Sequence, residues 1–254
     1  MGVTRGFSHR VGRVLGAALA AALVLAAPAA AGPAVQTTDA NGVIDWTRGM
    51  IIARGAAAAD LRAPSLSIAR IAAERRAHTA ARVRLSKLAR SMSQLRGEGN
   101  AGKAVATGAP ARRFAQLLAE SRVLTIHHAS DGSVVVKAGI AIEAVRAAIA
   151  GPGVMPPGAK NAPSAVVIDA RGVLGKPGLG LEILGGKERY VGPTVFHKSA
   201  ASAGVDPRLG KKPYRVTATG YNNGVVKLPK AAASQVAAAR KAGALVVLVL
   251  KAGK

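Results

Sequence analysis

The chain has 254 residues, half of them hydrophobic, and a formal net charge of +24. This length permits one domain or two small ones, and the hydrophobic content is far above that of disordered proteins. Cysteine is absent, which excludes disulfides, thiolate metal sites, a cysteine nucleophile and lipid attachment to a cysteine. A surface this basic attracts polyanions whatever the fold is.

The amino terminus predicts an export signal. Three arginines precede an apolar run at residues 14–27, which ends at Pro28 and is followed by alanines. This is the pattern of a cleavable secretory signal peptide over residues 1–31. The apolar run is shorter than the ~20 residues that a membrane-spanning helix needs. We therefore expect a periplasmic or secreted protein, cleaved near Ala31 and not transmembrane.

Residues 43–150 are predicted to form the first folded module, with the element order β-α-α-β-β-α. Residues 32–42 before it are small and polar and are interpreted as a short leader. Within the module, Met50 to Ala53 is a β-rich stretch that predicts the first strand, and Gly55 is interpreted as the residue that closes it.

A long amphipathic helix is the strongest local prediction. After Pro64, no glycine or proline occurs up to Leu95, and apolar residues recur three and four positions apart. Ser65 or Ser67 can cap this helix, and Gly97 ends it. The predicted buried stripe consists of Ala69, Ala73, Ala77, Ala81, Leu85, Leu88, Met92 and Leu95.

The rest of the module is predicted from turn signals and β-rich runs. Asp131-Gly132 lies between two such runs and predicts a hairpin. The remaining elements are a glycine-rich loop at 97–110, a helix at 111–120, strands at 122–128 and 133–142, and a short helix at 143–150.

Residues 151–163 contain four prolines and three glycines, and they predict a linker. The segment 164–254 is predicted to form a second unit. Its apolar runs 165–169 and 244–250 are typical of buried strands. Further strands are predicted at 181–184, 188–191 and 214–219, and a helix at 229–242. The fold class is therefore α+β: one long amphipathic helix packed on a mixed or antiparallel sheet, followed by a second small β-rich α/β unit.

Nine cations and one acid occur between Arg62 and Arg96. Two interpretations stay open: a polyanion-binding face, or a solvated helix face in an arginine-rich protein. No aromatic residue interleaves the arginines, so the stacking element of a single-strand nucleic-acid binder is missing. The candidate polyanion-binding residues are Arg70, Arg75, Arg76, Arg82, Arg84, Lys87 and Arg90.

The sequence shows no pattern typical of catalysis. The adjacent histidines at 127–128 lie in a predicted strand, so their rings point to opposite faces and cannot chelate one ion together. His197, Ser199 and Asp169 have the residue types of a hydrolytic triad, but no Gly-x-Ser-x-Gly turn is present and the spacing is interpreted as chance. Glycines within 172–186 match neither the dinucleotide nor the P-loop motif. We predict no enzyme activity, no metal and no cofactor.

The motifs around the long helix resemble a bacterial family. A tryptophan, a GMIIARG strand, a helix of the form AR..A...A...L and a hairpin ending in VVVKAGI resemble the Lpp-twenty family of outer-membrane lipoproteins. The segments 164–184 and 188–192 resemble larger exported relatives of that family. The resemblance implies an outer-membrane association, flagellar basal-body assembly for some members, and no enzyme activity. The matching residues are Trp46, Gly49, Ile51, Ala53, Gly55, Ala69, Arg70, Ala73, Ala77, Ala81 and Leu85.

Two functions follow from these expectations. The first is a non-enzymatic periplasmic or cell-envelope protein with a structural or assembly role at the outer membrane. Its partner would be an envelope protein or a second copy of the chain. An anionic surface of the envelope is a further candidate partner. The alternative is a basic module that binds lipopolysaccharide, anionic lipid or nucleic acid, and export disfavours nucleic acid. No small-molecule substrate is identified, and an unrecognised hydrolase ranks last.

Overall fold

The structure is a computed structural model that describes residues 36–95, 99–151, 163–185, 188–192 and 194–250. The predicted signal peptide at 1–31 and most of the predicted linker at 151–163 lie outside the described residues. The described residues belong to one compact unit. No helix in these ranges has the length and apolar character needed to cross a membrane.

The first part of the described chain contains five strands and four helices. They are β1 (Gln36–Asp39), β2 (Gly42–Asp45), β3 (Met50–Ala57), α1 (Leu66–Ser91), α2 (Ala101–Ala104), α3 (Gly108–Ala119), β4 (Arg122–His128), β5 (Val134–Ala141) and α4 (Ile142–Ala150). The strands form one antiparallel sheet in the order β1-β2-β3-β5-β4. Helix α1 packs mainly on β3 and β5.

Helix α1 begins where the periodicity predicted it, but it ends at Ser91, before Leu95 and the predicted stop at Gly97. The hydroxyl of Ser65 caps the helix by accepting a hydrogen bond from the N–H of Ile68 at 3.3 Å. The predicted stripe is buried from Ala69 to Met92, and Leu95 is partly buried against the same core. The prediction of one long amphipathic helix on a sheet is confirmed.

Gly55 has a different role from the one expected. Strand β3 does not close there but continues to Ala57. A Cβ at position 55 would lie 3.0 Å from the Cα of Ala81, and closer still to the amide nitrogen of Ala81 and the carbonyl oxygen of Ala77. The backbones of α1 and β3 therefore touch at this point, and the contact requires glycine in the strand and alanines in the helix.

The start of the sheet also differs from the prediction. Residues 36–42, assigned to a leader, form β1 and the start of β2, so three strands rather than one precede α1. All four residues of β1 are exposed, and the Asp39 carboxylate accepts hydrogen bonds from the N–H groups of Asn41 and Gly42 in the turn. A short polar edge strand buries no face, so it leaves no periodic apolar signal. Helix α2 likewise interrupts the loop predicted at 97–110.

The second part of the described chain forms two small sheets. Its elements are β6 (Ala165–Asp169), β7 (Glu182–Gly185), β8 (Glu188–Tyr190), β9 (Thr194–His197), α5 (Ala200–Gly204), β10 (Tyr214–Thr217), β11 (Gly220–Asn222), β12 (Val225–Leu228), α6 (Ala233–Lys241) and β13 (Leu245–Val249). The order β10-β6-β13-β9 is a parallel sheet, and β11-β12-β7-β8 is a mixed one. Strand β13 lies at the centre of the parallel sheet, as its apolar sequence predicted.

The two parts share one hydrophobic core. The rings of Trp46 and Phe196 meet edge to face with their centroids 5.7 Å apart. The N–H of Phe196 donates to the carbonyl of Trp46 at 3.2 Å, and the Thr47 hydroxyl donates to the carbonyl of Phe196 at 2.9 Å. One continuous cluster of buried apolar side chains draws on both parts. The fold is α+β.

Candidate functional site

The predicted polyanion-binding residues all lie on helix α1, and the structure spreads them around its solvent side. Arg82 and Arg84 are half-buried and the others are exposed. Their neighbours divide them into three groups: one beside β3, one beside α3, and one that faces solvent alone. They do not form a single flat face.

Arg76 and Arg84 lie on the β3 side of the helix. Nη2 of Arg76 donates to the carbonyl oxygen of Ala58 at 2.8 Å, and Nη1 of Arg84 donates to that of Arg54 at 2.5 Å. A carbonyl is a neutral acceptor. These hydrogen bonds therefore hold the guanidinium groups in place without cancelling their charge.

Arg82 and Arg90 lie on the α3 side. Nε of Arg82 donates to the carbonyl oxygen of Leu118 at 3.2 Å, in the last turn of α3, where a cation also interacts favourably with the helix dipole. The Arg90 guanidinium lies 5.4 Å from the centroid of the Phe114 ring, which is a cation–π distance. Both side chains therefore help to hold α3 against α1.

Arg70, Arg75 and Lys87 are exposed, and their side chains form no hydrogen bond or ion pair with any residue that the structure describes. Glu74 is the one acid in the sequence of α1. Within the described ranges, ion pairs use cations outside this helix, so the charge of α1 is left uncompensated. These ion pairs are Arg48–Asp45, Arg146–Glu143, Arg171–Asp169, His197–Asp206 and Arg208–Asp206.

A cluster of His197, Asp206 and Arg208 at the end of β9 is absent from the sequence predictions. The side chains of His197 and Asp206 are buried, and that of Arg208 is exposed. His197 is the last residue of this strand, and its Nε2 lies 3.0 Å from Oδ2 of Asp206. The guanidinium of Arg208 donates to both oxygens of the same carboxylate, at 2.9 Å from Nε to Oδ1 and 2.7 Å from Nη2 to Oδ2. Nη2 also donates to the carbonyl of Thr47 at 2.6 Å. The sequence signal was the acid-proline-arginine triplet at 206–208, close after the histidine.

The titration of this cluster follows from its contacts. Burial raises the pKa of Asp206, but hydrogen bonds from Arg208 and His197 outweigh it and lower the pKa to about 2. Burial lowers the pKa of His197, although the hydrogen bond to Asp206 acts in the other direction. At neutral pH the cluster is thus a neutral imidazole and a carboxylate that is paired with Arg208. This arrangement ties the loop after α5 to β9 and to Thr47.

The three residues considered as a hydrolytic triad, His197, Ser199 and Asp169, are hydrogen-bonded to other residues and not to one another. The Ser199 hydroxyl accepts the N–H of Ser202 at the start of α5, and Asp169 accepts hydrogen bonds from Arg171. The structure gives His197 a different carboxylate, that of Asp206. No hydroxyl in the described residues is hydrogen-bonded to this imidazole.

The described histidines and carboxylates do not converge elsewhere. In the ranges that the structure covers, no three of them are placed to hold a metal ion. In β4, His128 pairs with Val134 and His127 with Val135, so the two rings lie on opposite faces of the sheet.

Two comparisons with known proteins found no match. No protein-family model matches it, and no curated protein is significantly similar to it. Function must therefore be inferred from the geometry of the chain itself. The uncompensated charge of α1 is the feature with the clearest chemical consequence.

Proposed function

We propose that this chain is a non-enzymatic protein of the cell envelope, exported to the periplasm or beyond, with a structural or assembly role at the outer membrane. Helix α1 attaches it to a phosphate-bearing surface, either lipopolysaccharide or anionic lipid headgroups. The predicted signal peptide and the proposed kinship of the α1 module with the Lpp-twenty family support this location.

One observation carries the proposal: the cations of α1 have no acidic partner in the described structure. A cation near an anionic membrane surface contributes about 1 kcal/mol at physiological ionic strength. Arg70, Arg75 and Lys87 alone would thus contribute about 3 kcal/mol, and the oriented guanidinium groups of Arg76 and Arg84 add to the same field. Attraction of this kind weakens as salt is added.

The acid–base groups that the structure brings together support a non-enzymatic role. His197 and Asp206 are hydrogen-bonded to each other, and Arg208 occupies both oxygens of the carboxylate. A carboxylate with a pKa of about 2 is a weak base. These contacts favour a structural role for the cluster.

The test measures binding to vesicles of phosphatidylglycerol and to vesicles of phosphatidylcholine. The variant Arg70→Glu/Arg75→Glu/Lys87→Glu changes only exposed side chains that form no hydrogen bond or ion pair with the described residues. Reversing three charges should weaken binding to the anionic vesicles at least about 100-fold. The wild-type protein should bind phosphatidylcholine weakly and should lose its anionic binding at high salt.

The matched control is Lys211→Glu/Lys212→Glu/Arg215→Glu, which changes the net charge equally at exposed positions outside α1. It should weaken binding by less than about 10-fold, because distant exposed charges are screened. Equal losses in the two variants would refute a role specific to α1. Displacement of the protein from the vesicles by lipopolysaccharide would separate the two phosphate sources.

A further inference from the structure

Strand β4 offers a free sheet edge. It is the outer strand of the five-stranded sheet, and on its outer side it pairs with no residue that the structure describes. All of its residues are exposed, among them Val123 (40%), Leu124 and Ile126. Natural proteins usually protect such edges with charges, bulges or covering elements. Strand β4 carries two of these features, Arg122 and a bulge between Val123 and Thr125. Its apolar side chains nevertheless stay exposed beside the open edge, and such a patch indicates an interaction surface.

On the side of the sheet that α1 covers, β4 borders an apolar groove of about 340 Å³. Pairing with β5 places Val123 and Ile126 on this side, opposite buried residues. Nε2 of His78 is buried in the lining and has no hydrogen-bond partner among the described residues. The lining also includes Ile71, which is exposed, together with Glu74 and Arg75.

The other side of the same edge is basic. Thr125 of β4 pairs with Lys137 of β5, which in turn lies opposite Arg54 of β3. Arg122 of β4 lies on this side as well, opposite Gly139. Like charges on facing strands repel each other, and the sequences of β3, β4 and β5 contain no acid. An anionic neighbour would relieve this repulsion.

We propose that this edge binds an extended segment of a partner protein in which apolar and acidic residues alternate. The segment joins β4 as a sixth strand, and its main chain supplies the hydrogen bonds that the edge lacks. Because alternate side chains of a strand point to opposite faces, its apolar residues enter the groove and its acidic residues lie beside Arg122, on the face of the sheet that also carries Lys137.

The two faces of β4 favour this occupant over others. A lipid chain would fill the groove but would leave the main-chain groups of the edge without partners. A second copy of the chain would bring another strongly positive surface to Arg122 and Lys137. This inference goes beyond the attachment of α1 to a phosphate-bearing surface, since it concerns a protein partner and a different element.

The probe is a fluorescently labelled peptide of about ten residues with alternating valine and glutamate, longer than β4 itself. We expect saturable binding and slower hydrogen exchange of the β4 amides. The variant Val123→Lys places a charge in the groove and should weaken binding at least about 10-fold. Val83→Lys makes the same change at a 52% exposed valine of α1 outside the groove, and should weaken it less than about twofold.

Three results would overturn the proposal: equal weakening in the two variants, unchanged exchange of the β4 amides, or equally tight binding of a peptide with proline in place of every second residue. A dimer of the free protein that Val123→Lys abolishes would assign the edge to a second copy instead. If lipid occupied the groove instead, the Val123→Lys variant would lose binding to phosphatidylcholine vesicles. Neither variant removes a cation from α1, so both should keep their binding to phosphatidylglycerol vesicles, which separates this test from that of α1.

Discussion

Replacing Gly55 by alanine tests the contact between α1 and β3 most directly. The new Cβ would lie 3.0 Å from the Cα of Ala81 and nearer still to main-chain atoms of Ala77 and Ala81. Carbon atoms in good contact are about 3.5–4.0 Å apart, so α1 would have to move away from the sheet by about 1 Å. No side-chain rotation relieves the clash, because the atoms belong to the backbone.

The cost of this movement has two parts. Overpacking of this kind costs about 1–3 kcal/mol. Displacing α1 also opens gaps around Ala73, Ala77 and Leu85, which are fully buried. We therefore expect Gly55→Ala to lower the free energy of unfolding by about 3–5 kcal/mol, a large share of the stability of an ordinary domain.

Urea denaturation of the purified protein, followed by circular dichroism, measures this difference. Gly139→Ala is an intermediate case, because its Cβ meets the flexible ends of Leu124 and Met50 at 3.1 Å and the carbonyl oxygen of Ile51 at 3.3 Å, and should cost about 1 kcal/mol. Gly172→Ala meets no atom within 4 Å and should change stability by less than about 0.5 kcal/mol. If Gly55→Ala were within about 1 kcal/mol of the wild-type protein, the close approach of the two backbones would be wrong.

Two further predictions concern stability. Asp206→Asn removes the carboxylate that binds Arg208 and His197, and should cost about 2 kcal/mol near pH 7. Because the pKa of Asp206 is about 2 in the folded protein and 3.8 in an unfolded chain, this stabilisation is present above pH 3.8 and is lost as the pH falls towards 2. The urea midpoints of variant and wild type should therefore converge between about pH 5 and pH 2, and midpoints that stay equally far apart at pH 2 would contradict the ion pair. Ser65→Ala removes the cap of α1 and should cost about 1 kcal/mol in thermal unfolding, whereas Ser67→Ala, within the helix, should cost less than about 0.5 kcal/mol.

The role of Gly55 in the packing of α1 on β3 could not be predicted from the sequence. A glycine at the end of a β-rich stretch predicts a strand terminus, because glycine weakens strands and permits turns. The alternative, a site of close backbone approach, depends on a helix that begins after Ala57. Only the packed structure brings the carbonyl of Ala77 to this glycine.

The charged residues were likewise predicted from the sequence only in part. The cations of α1 were found in the sequence because they are neighbours along the chain. Their division between β3, α3 and solvent was not, because it depends on which elements flank the helix. The hydrogen bond between Asp206 and His197 could not be predicted either, because it depends on the conformation of the chain between the two residues.

The sequence by itself determined the elements whose signal is local: the buried stripe of α1, the hairpin at Asp131-Gly132 and the apolar strand β13. Periodicity and turn chemistry act over a few residues, so they can be recognised without the rest of the chain. The tertiary structure alone decided that β4 lies at the sheet edge while β13 lies at a centre. Both are recognised as strands from their local composition, but the position of a strand in a sheet is set by pairing with strands distant in sequence.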